Sequence, residues 1–386
     1  MDSPTKRARL TVLTLGHATV DCYGGLLAPL IPALARHLHV EVCQMAMLFG
    51  GLGVFMNLVQ PVAGYFTSHR RFPAFLATGP LLATVVCLVG FTESYLVASI
   101  LFLIGHLGVG IYHPPALMAA QEASGKRQNL GVSIFLSGGF LGVSIAGVAA
   151  TQWVAHYQFQ YFWLFAAPGV LLALALMFRL PGSRAVFASG EHPAVMEHSP
   201  SQPFSVIMTM ASLMAASSCL LMAFLAAHME ACFGREGFLA GGVTLLLLGI
   251  SSAAGSYFWG YLAHRVGRFK LLAAGQFLAL PFYAALTHAP SVRAAMILSI
   301  PTGLCMGGAF FPLVANAARH ARGLTPGLRT GLLVGGSWGF GSMITILAGF
   351  ANQHGVAIPA ILTMGLLPMP FVAILSARMA KRDKNG

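Results

Sequence analysis

Asp21 is the only one of the chain's ten acidic residues that falls in the middle of a long apolar run. A carboxylate in hydrocarbon is costly and is read as functional by default. His17 stands four residues earlier, one turn away on the same face of a helix. Burial penalises the charged carboxylate, while a neighbouring imidazolium favours it. That opposition suits a pair that takes up and releases protons at physiological pH, so Asp21 and His17 are the expected proton-coupling residues. A second histidine pair, His106 and His113, lies in another apolar run, seven residues apart and on one helix face. Pro114 and Pro115 follow His113; they remove two backbone donors and leave carbonyls one turn earlier unpaired. An imidazole beside such an opening can donate or accept a hydrogen bond, or carry charge toward an anion. His113 is therefore the expected substrate contact, with Tyr112 and His106 beside it. Asn57, Gln60, Asn316, Gln276 and Trp338 are further polar or aromatic candidates within apolar runs. For the amides, hydrogen-bonded glue between helices is the competing reading.

The 14 His and 18 Met also admit a metal reading. Met210 and Met214 lie one turn apart, His228 and Glu230 end the same run, and thioether and imidazole suit Cu(I) or a borderline divalent ion. Transport of a transition metal or its chelate is thus the alternative function. Against it, Met in an apolar span is ordinarily filler. No cofactor and no resident metal ion are expected.

The elements that must position these residues are membrane spans. Of the 386 residues 57% are hydrophobic and only 8% charged, against about 25% charged in a soluble domain. The apolar runs are about 18–27 residues long, enough for a helix to cross the bilayer. Twelve spans are expected, near 10–35, 42–67, 73–91, 95–122, 129–154, 159–180, 204–229, 238–264, 269–287, 292–319, 329–351 and 356–378. Nineteen of the 22 Lys and Arg residues lie in alternate gaps; the other gaps hold only Arg36, Arg235 and Arg293. Short basic loops stay in the cytoplasm, so both termini are expected there, in a multi-pass protein of the cell's inner membrane. The net charge of +12 is thus topological, and nucleic-acid binding, which needs a clustered basic face, is not expected. Asp21 interrupts the first run where a signal peptide would be purely apolar, so Ala33-Leu34-Ala35 is read as uncleaved. The six cysteines are scattered without a C-x-x-C pair, and no disulfide frame is expected. With no H-E-x-x-H and no acidic pair, no enzyme is expected either.

The chain repeats itself once. GYFTSHRRF (64–72) is echoed by GYLAHRVGRF (260–269), GIYHPPALMAAQEASG (110–125) by GAFFPLVANAARHARG (308–323), and Ser137, Gly139 and Phe140 by Ser337, Gly339 and Phe340. The offsets are 196, 198 and 200 residues. Two six-helix halves, 1–180 and 204–386, joined by a polar cytoplasmic linker 181–203, form a transporter plan with substrate at the repeat interface.

The basic turns after the second and eighth spans resemble the loop signature of the major facilitator superfamily. HATVDCYGGLLAPLIPAL (17–34), NLVQPVAGYFT (57–67) and GIYHPPALMAAQEASGKRQNLGVSIFLSGGFLG (110–142) are similar, more narrowly, to fosmidomycin-resistance-type efflux proteins. The resemblance implies an all-α fold of two pseudo-symmetric six-helix bundles, and proton-driven export of a small drug-like or phosphonate compound by a monomer. It also implies that helices one, four, seven and ten line a central cavity where His17, Asp21, His106 and His113 converge. Arg70, Arg71, Arg265 and Arg268, in the basic turns, are the expected cytoplasmic gate. The chain departs from the family pattern at Pro115, where the motif has Glu. It departs again at Phe140, where the motif has Asn, and at Ser68 or His69 and His264, where the loop Asp is missing. Phe311 matches His113 in the second half, which makes that cavity wall apolar and the expected substrate amphipathic.

Overall fold

The computed structural model describes residues 4–70, 74–124, 128–179, 204–320 and 326–382. Within them the chain is helical but for short turns between helices, as a bilayer demands when every backbone polar group must find its partner inside the segment. Helix α1 comprises Pro4–Gly25 and Leu27–His37. Then follow α2 (Val42–Arg70), α3 (Ala74–Ala83, continued as the 3-10 turn Thr84–Phe91), α4 (Tyr95–Ser124) and α5 (Gln128–Tyr157). A 3-10 turn, Phe162–Ala166, leads into α6 (Ala167–Arg179).

The stretch Phe204–Val266 is two helices, α7 and α8, folded at Gly234, whose φ of 60° and ψ of −138° favour glycine. The last four are α9 (Arg268–Thr287), α10 (Val292–His320), α11 (Pro326–Gln353) and α12 (Ile358–Met364 and Pro368–Arg382). Nine stretches among the described residues are long and apolar enough to cross a membrane. One of these, Phe204–Ala263, contains both α7 and α8. The shorter apolar helices Phe162–Met177 and Val292–Gly307 complete a set of twelve. The linker expected at 181–203 lies outside the described residues.

Two halves are visible in the core. One cluster of buried side chains runs from Leu10 to Leu176 and takes in only Phe238 from beyond it. Two others draw on residues 207–379, with Ala46 the one addition. Large apolar side chains such as Phe91, Phe277 and Phe371 are exposed on the outside, as expected of a surface solvated by lipid chains.

The halves meet along two helix pairs, α2 with α11 and α5 with α8. Small residues make both approaches close. A Cβ on Gly331 would lie 2.7 Å from Pro61 Cα, and one on Gly335 would overlap the Asn57 carbonyl oxygen. Between α5 and α8, a Cβ on Gly242 would lie 2.6 Å from the Gly147 carbonyl oxygen. The glycine string of α11 therefore serves the contact between halves. Gly138 and Gly142 of α5 instead face α1 inside the first half.

Candidate functional site

Asp21 sits between two imidazoles. Its Oδ2 is 3.1 Å from His17 Nε2, and its Oδ1 is 3.0 Å from His113 Nε2. The two Nε2 atoms are themselves 3.1 Å apart, so three hydrogen-bonding groups meet at one point. Helical spacing places His17 and Asp21 together on α1, and α4 supplies His113.

The ring orientations are fixed from behind. His17 Nδ1 donates to the Phe135 carbonyl of α5 at 2.8 Å, and the ring stacks on Phe135 at 4.2 Å. His113 Nδ1 donates to the Val109 carbonyl, one turn earlier on α4, at 2.7 Å. Carbonyl oxygens only accept, so both Nδ1 atoms carry hydrogens, and in the neutral rings both Nε2 atoms are acceptors. Three acceptors therefore converge, and at least one proton is needed to turn their mutual repulsion into hydrogen bonds. With one proton present the charges of Asp21, His17 and His113 sum to zero, the cheapest condition in hydrocarbon.

Gly139 of α5 closes the group. A Cβ there would overlap Asp21 Oδ2 and lie 2.7 and 2.8 Å from His17 Cε1 and Nε2. His17 is the most enclosed member, with 4% of its side chain accessible, while Asp21 and His113 retain 19% and 16%.

One turn beyond Asp21 a cavity opens between the halves. Gly25, Ala28 and Pro29 of α1 and Phe140 of α5 form one wall; Met214, Met222, Met306 and Trp338 contribute to the other. Ser144, Ser218 and Ser252 supply the polar points. The resemblance implied a lining from helices one, four, seven and ten. Among the described residues α1, α7 and α10 do line it, joined by α5, α8 and α11, but nothing comes from α4. The reason is local: α1 lies across the His113 face of α4, so the imidazole meets Asp21 before it meets the cavity.

The other sequence candidates divide among several places. Helix α4 continues unbroken through Pro114-Pro115, and Tyr112 is wholly buried with its hydroxyl donating to Leu13 O at 3.3 Å. His106 does not join the triad; it is buried, with Nδ1 donating to Phe102 O at 2.8 Å. Asn57 and Gln60 are buried at the α2–α11 contact, where Gln60 Nε2 donates to Asn57 Oδ1 at 3.0 Å and Asn57 Nδ2 to Gly53 O at 2.7 Å. Gln276 is buried within α9. Trp338 lines the cavity.

Phe311 and Asn316 belong to α10, but their side chains lie outside what is described, as does that of Arg70, and Arg71 falls outside altogether. Arg265 is exposed and donates to Tyr261 Oη at 2.9 Å, and Arg268 lies over the Phe269 ring. The metal candidates are dispersed: Met214 borders the cavity, Met210 accepts from Ser376 Oγ at 3.5 Å, and His228 Nε2 bonds Thr287 O. All six cysteines are free. Gly335-Gly336-Ser337-Trp338-Gly339 matches G-x-S-x-G, yet it lies inside α11 with Ser337 Oγ donating to Val334 O at 3.1 Å, which is not a strand-to-helix nucleophile elbow.

Sequence reasoning missed a pair joining the halves. Arg36, at the end of α1, reaches Glu230, at the end of α7, at 3.2 Å, and its guanidinium lies 6.0 Å from the Phe238 ring centroid. The only signal was opposite charge in loops otherwise poor in charge. Phe135 and Gly139 were missed as partners of the triad as well, since nothing in their type announces them.

Removing the His113 imidazole takes one hydrogen-bonding partner from Asp21 and one from His17. His113→Ala is expected to destabilise the purified protein by about 1–3 kcal/mol, the cost of buried hydrogen-bonding groups left unpaired. His113→Gln, which retains a donor and an acceptor, should lose less; thermal unfolding in detergent compares the two.

The Major Facilitator Superfamily model matches residues 13–346 of this chain. The fosmidomycin resistance protein of Escherichia coli (strain K12) is 24% identical over 356 residues, covering 89% of this chain and 86% of that protein. YfnC of Bacillus subtilis (strain 168), an uncharacterized MFS-type transporter, is 29% identical over 173 residues, covering 44% of this chain and 41% of its own length. Among solved structures, a bacterial homolog of the human lysosomal transporter Spinster, in an inward-facing and unoccupied conformation, superposes with a TM-score of 0.66 at 13% identity. That match covers 99% of this chain and 97% of the other.

Proposed function

Since the chain belongs to the major facilitator superfamily, we propose that it is a proton-coupled exporter of a small amphipathic or anionic compound, working by alternating access. The observation that carries the coupling is the meeting of Asp21, His17 and His113 at 3.0–3.1 Å in the first half. One proton shared among them keeps the group neutral and ties α1 to α4. Losing it leaves three acceptors facing one another. The next turns of α1, through Gly25 and Pro29, line the cavity, so a displacement of α1 links the proton to the substrate.

The substrate class follows from the cavity and from the relative. The described lining holds no Lys, Arg, Asp or Glu and is rich in Met and aromatic side chains, which favours an apolar body. The fosmidomycin resistance relative supports export over import.

In this reading the bundles 1–180 and 204–386 rock about the linker 181–203, with both termini cytoplasmic in an inner membrane. Arg36 and Glu230 then lie on the outer side and hold it shut, while Arg70, Arg71, Arg265 and Arg268 belong to the cytoplasmic side. The protein acts as a monomer on a small molecule, and its cargo is not chemically changed.

Inverted membrane vesicles energised to be acid inside test this. Amphipathic and anionic compounds, fosmidomycin among them, are added one at a time while a fluorescent probe follows the pH gradient. At least one compound is expected to discharge the gradient in vesicles carrying this chain and not in vesicles lacking it. Vesicle uptake of a verified substrate that continues undiminished after a protonophore collapses the gradient would overturn proton coupling.

A further inference from the structure

We propose that His17, Asp21 and His113 also form a binding site for one divalent transition-metal ion of the zinc type, which takes the proton's place and arrests the transport cycle. The arrest rests on the proton-coupling reading above; the binding itself does not. Two imidazole nitrogens and a carboxylate converge with their ligand atoms all within 4.8 Å of one another. This donor set is the one that zinc and related ions take, with three protein ligands and an open position for water.

The second shell has the form such sites use. A metal-bound histidine characteristically donates its other ring N–H to a carbonyl or carboxylate, which fixes the tautomer and aims the free nitrogen. Both rings do so here, His17 to Phe135 O and His113 to Val109 O. The free lone pairs are therefore on the two Nε2 atoms, the atoms that meet at 3.1 Å. An ion held about 2.0–2.1 Å from each nitrogen would see them at roughly 98°, between the angles of an octahedral face and a tetrahedron.

Room and access are also present. A side chain at position 139 would intrude on Asp21 and His17, and the glycine leaves that space open. Asp21 and His113 remain partly accessible, so an ion can reach the group. Proton and metal need the same lone pairs and exclude one another. An ion cross-linking α1 to α4 would hold the first half in one arrangement.

Cobalt(II) provides a spectroscopic probe for the purified full-length chain in detergent. One equivalent per chain is expected to give visible d–d absorption that one equivalent of Zn²⁺ abolishes. His17→Gln and His113→Gln should each weaken cobalt binding by more than about 100-fold, since losing even a second-shell partner costs 10–100-fold. Both variants are first checked for monodisperse elution and helical circular dichroism. No absorption with the parent would overturn the proposal, as would an unchanged spectrum in the folded His17→Gln, His113→Gln double variant.

A transport arm keeps the two readings apart. Zn²⁺ should slow gradient-driven movement of a verified substrate over the same concentration range in which it displaces cobalt. Binding without inhibition would overturn the arrest and leave the site standing. Loss of coupling in Asp21→Asn, together with no cobalt binding by the parent, would remove the metal site and leave the proton reading intact.

Discussion

Asp21→Asn is expected to abolish gradient-driven transport while leaving substrate counterflow partly intact. Asp21 lies within hydrogen-bonding distance of both imidazoles of a three-membered group, and it is the only mid-span acid in the chain. The amide has nearly the same shape, so the packing against Gly139 is retained, but it can no longer carry the negative charge that one proton balances. Its nitrogen can donate to one Nε2, which satisfies that acceptor permanently rather than reversibly. Exchange of labelled for unlabelled substrate across proteoliposomes needs the rocking motion but no net proton movement, so that activity should survive. Accumulation driven by a pH gradient should fall to the level of empty liposomes. Loss of both activities would mark Asp21 as a residue needed for the fold, and retention of both would remove it from the mechanism.

Gly142→Leu is expected to have the largest effect on the fold. A Cβ at this position of α5 would overlap the Ala18 carbonyl oxygen of α1 and lie 2.7 Å from its carbon and 2.9 Å from Cα. All three are backbone atoms, which cannot turn aside as the end of a side chain can. Overpacking a close contact costs about 1–3 kcal/mol, and a leucine that forces two backbones apart should reach at least the upper end of that range. Separating α1 from α5 would also pull His17 from Phe135 and Asp21 from Gly139, so coupling should fail in whatever folds. Gly51→Ala is the control, since nothing beyond its own turn of helix backbone lies within 4 Å of where its Cβ would stand. Thermal unfolding in detergent should show a large fall for Gly142→Leu and almost none for Gly51→Ala. Equal melting temperatures for the two variants would contradict the close α1–α5 approach.

The triad was partly legible in the sequence because its strongest signals are local. A lone carboxylate in an apolar run and a histidine four residues before it require nothing but helical periodicity. That His113 completes the group, and His106 does not, follows from rise as much as from angle. Seven residues return to nearly the same face but lie about 10 Å along the axis, two turns away. Tyr112, adjacent to His113, points about 100° away, into the packing between α1 and α3, which is why neighbouring positions have different surroundings. The pairing of α2 with α11 appears in the sequence only as the glycines four apart in α11, and that spacing does not name a partner. Gly138 and Gly142 have the same spacing as Gly331, Gly335 and Gly339, yet one set packs within a half and the other between halves. The Arg36–Glu230 pair joins residues 194 apart in the chain, a relation no local pattern carries. The twelve spans, by contrast, were readable to within a few residues, because bilayer thickness fixes their length from outside.

The most direct measurement of the central claim is proton release on substrate binding. The purified protein is held in weakly buffered detergent solution with a pH indicator, and a verified substrate is added. The shared proton of the Asp21–His17–His113 group should leave as substrate binds: close to one proton per chain from the parent at saturation, and none from Asp21→Asn. Equal release from the variant, or substrate binding by the parent with no release, would contradict a proton-exchanging triad.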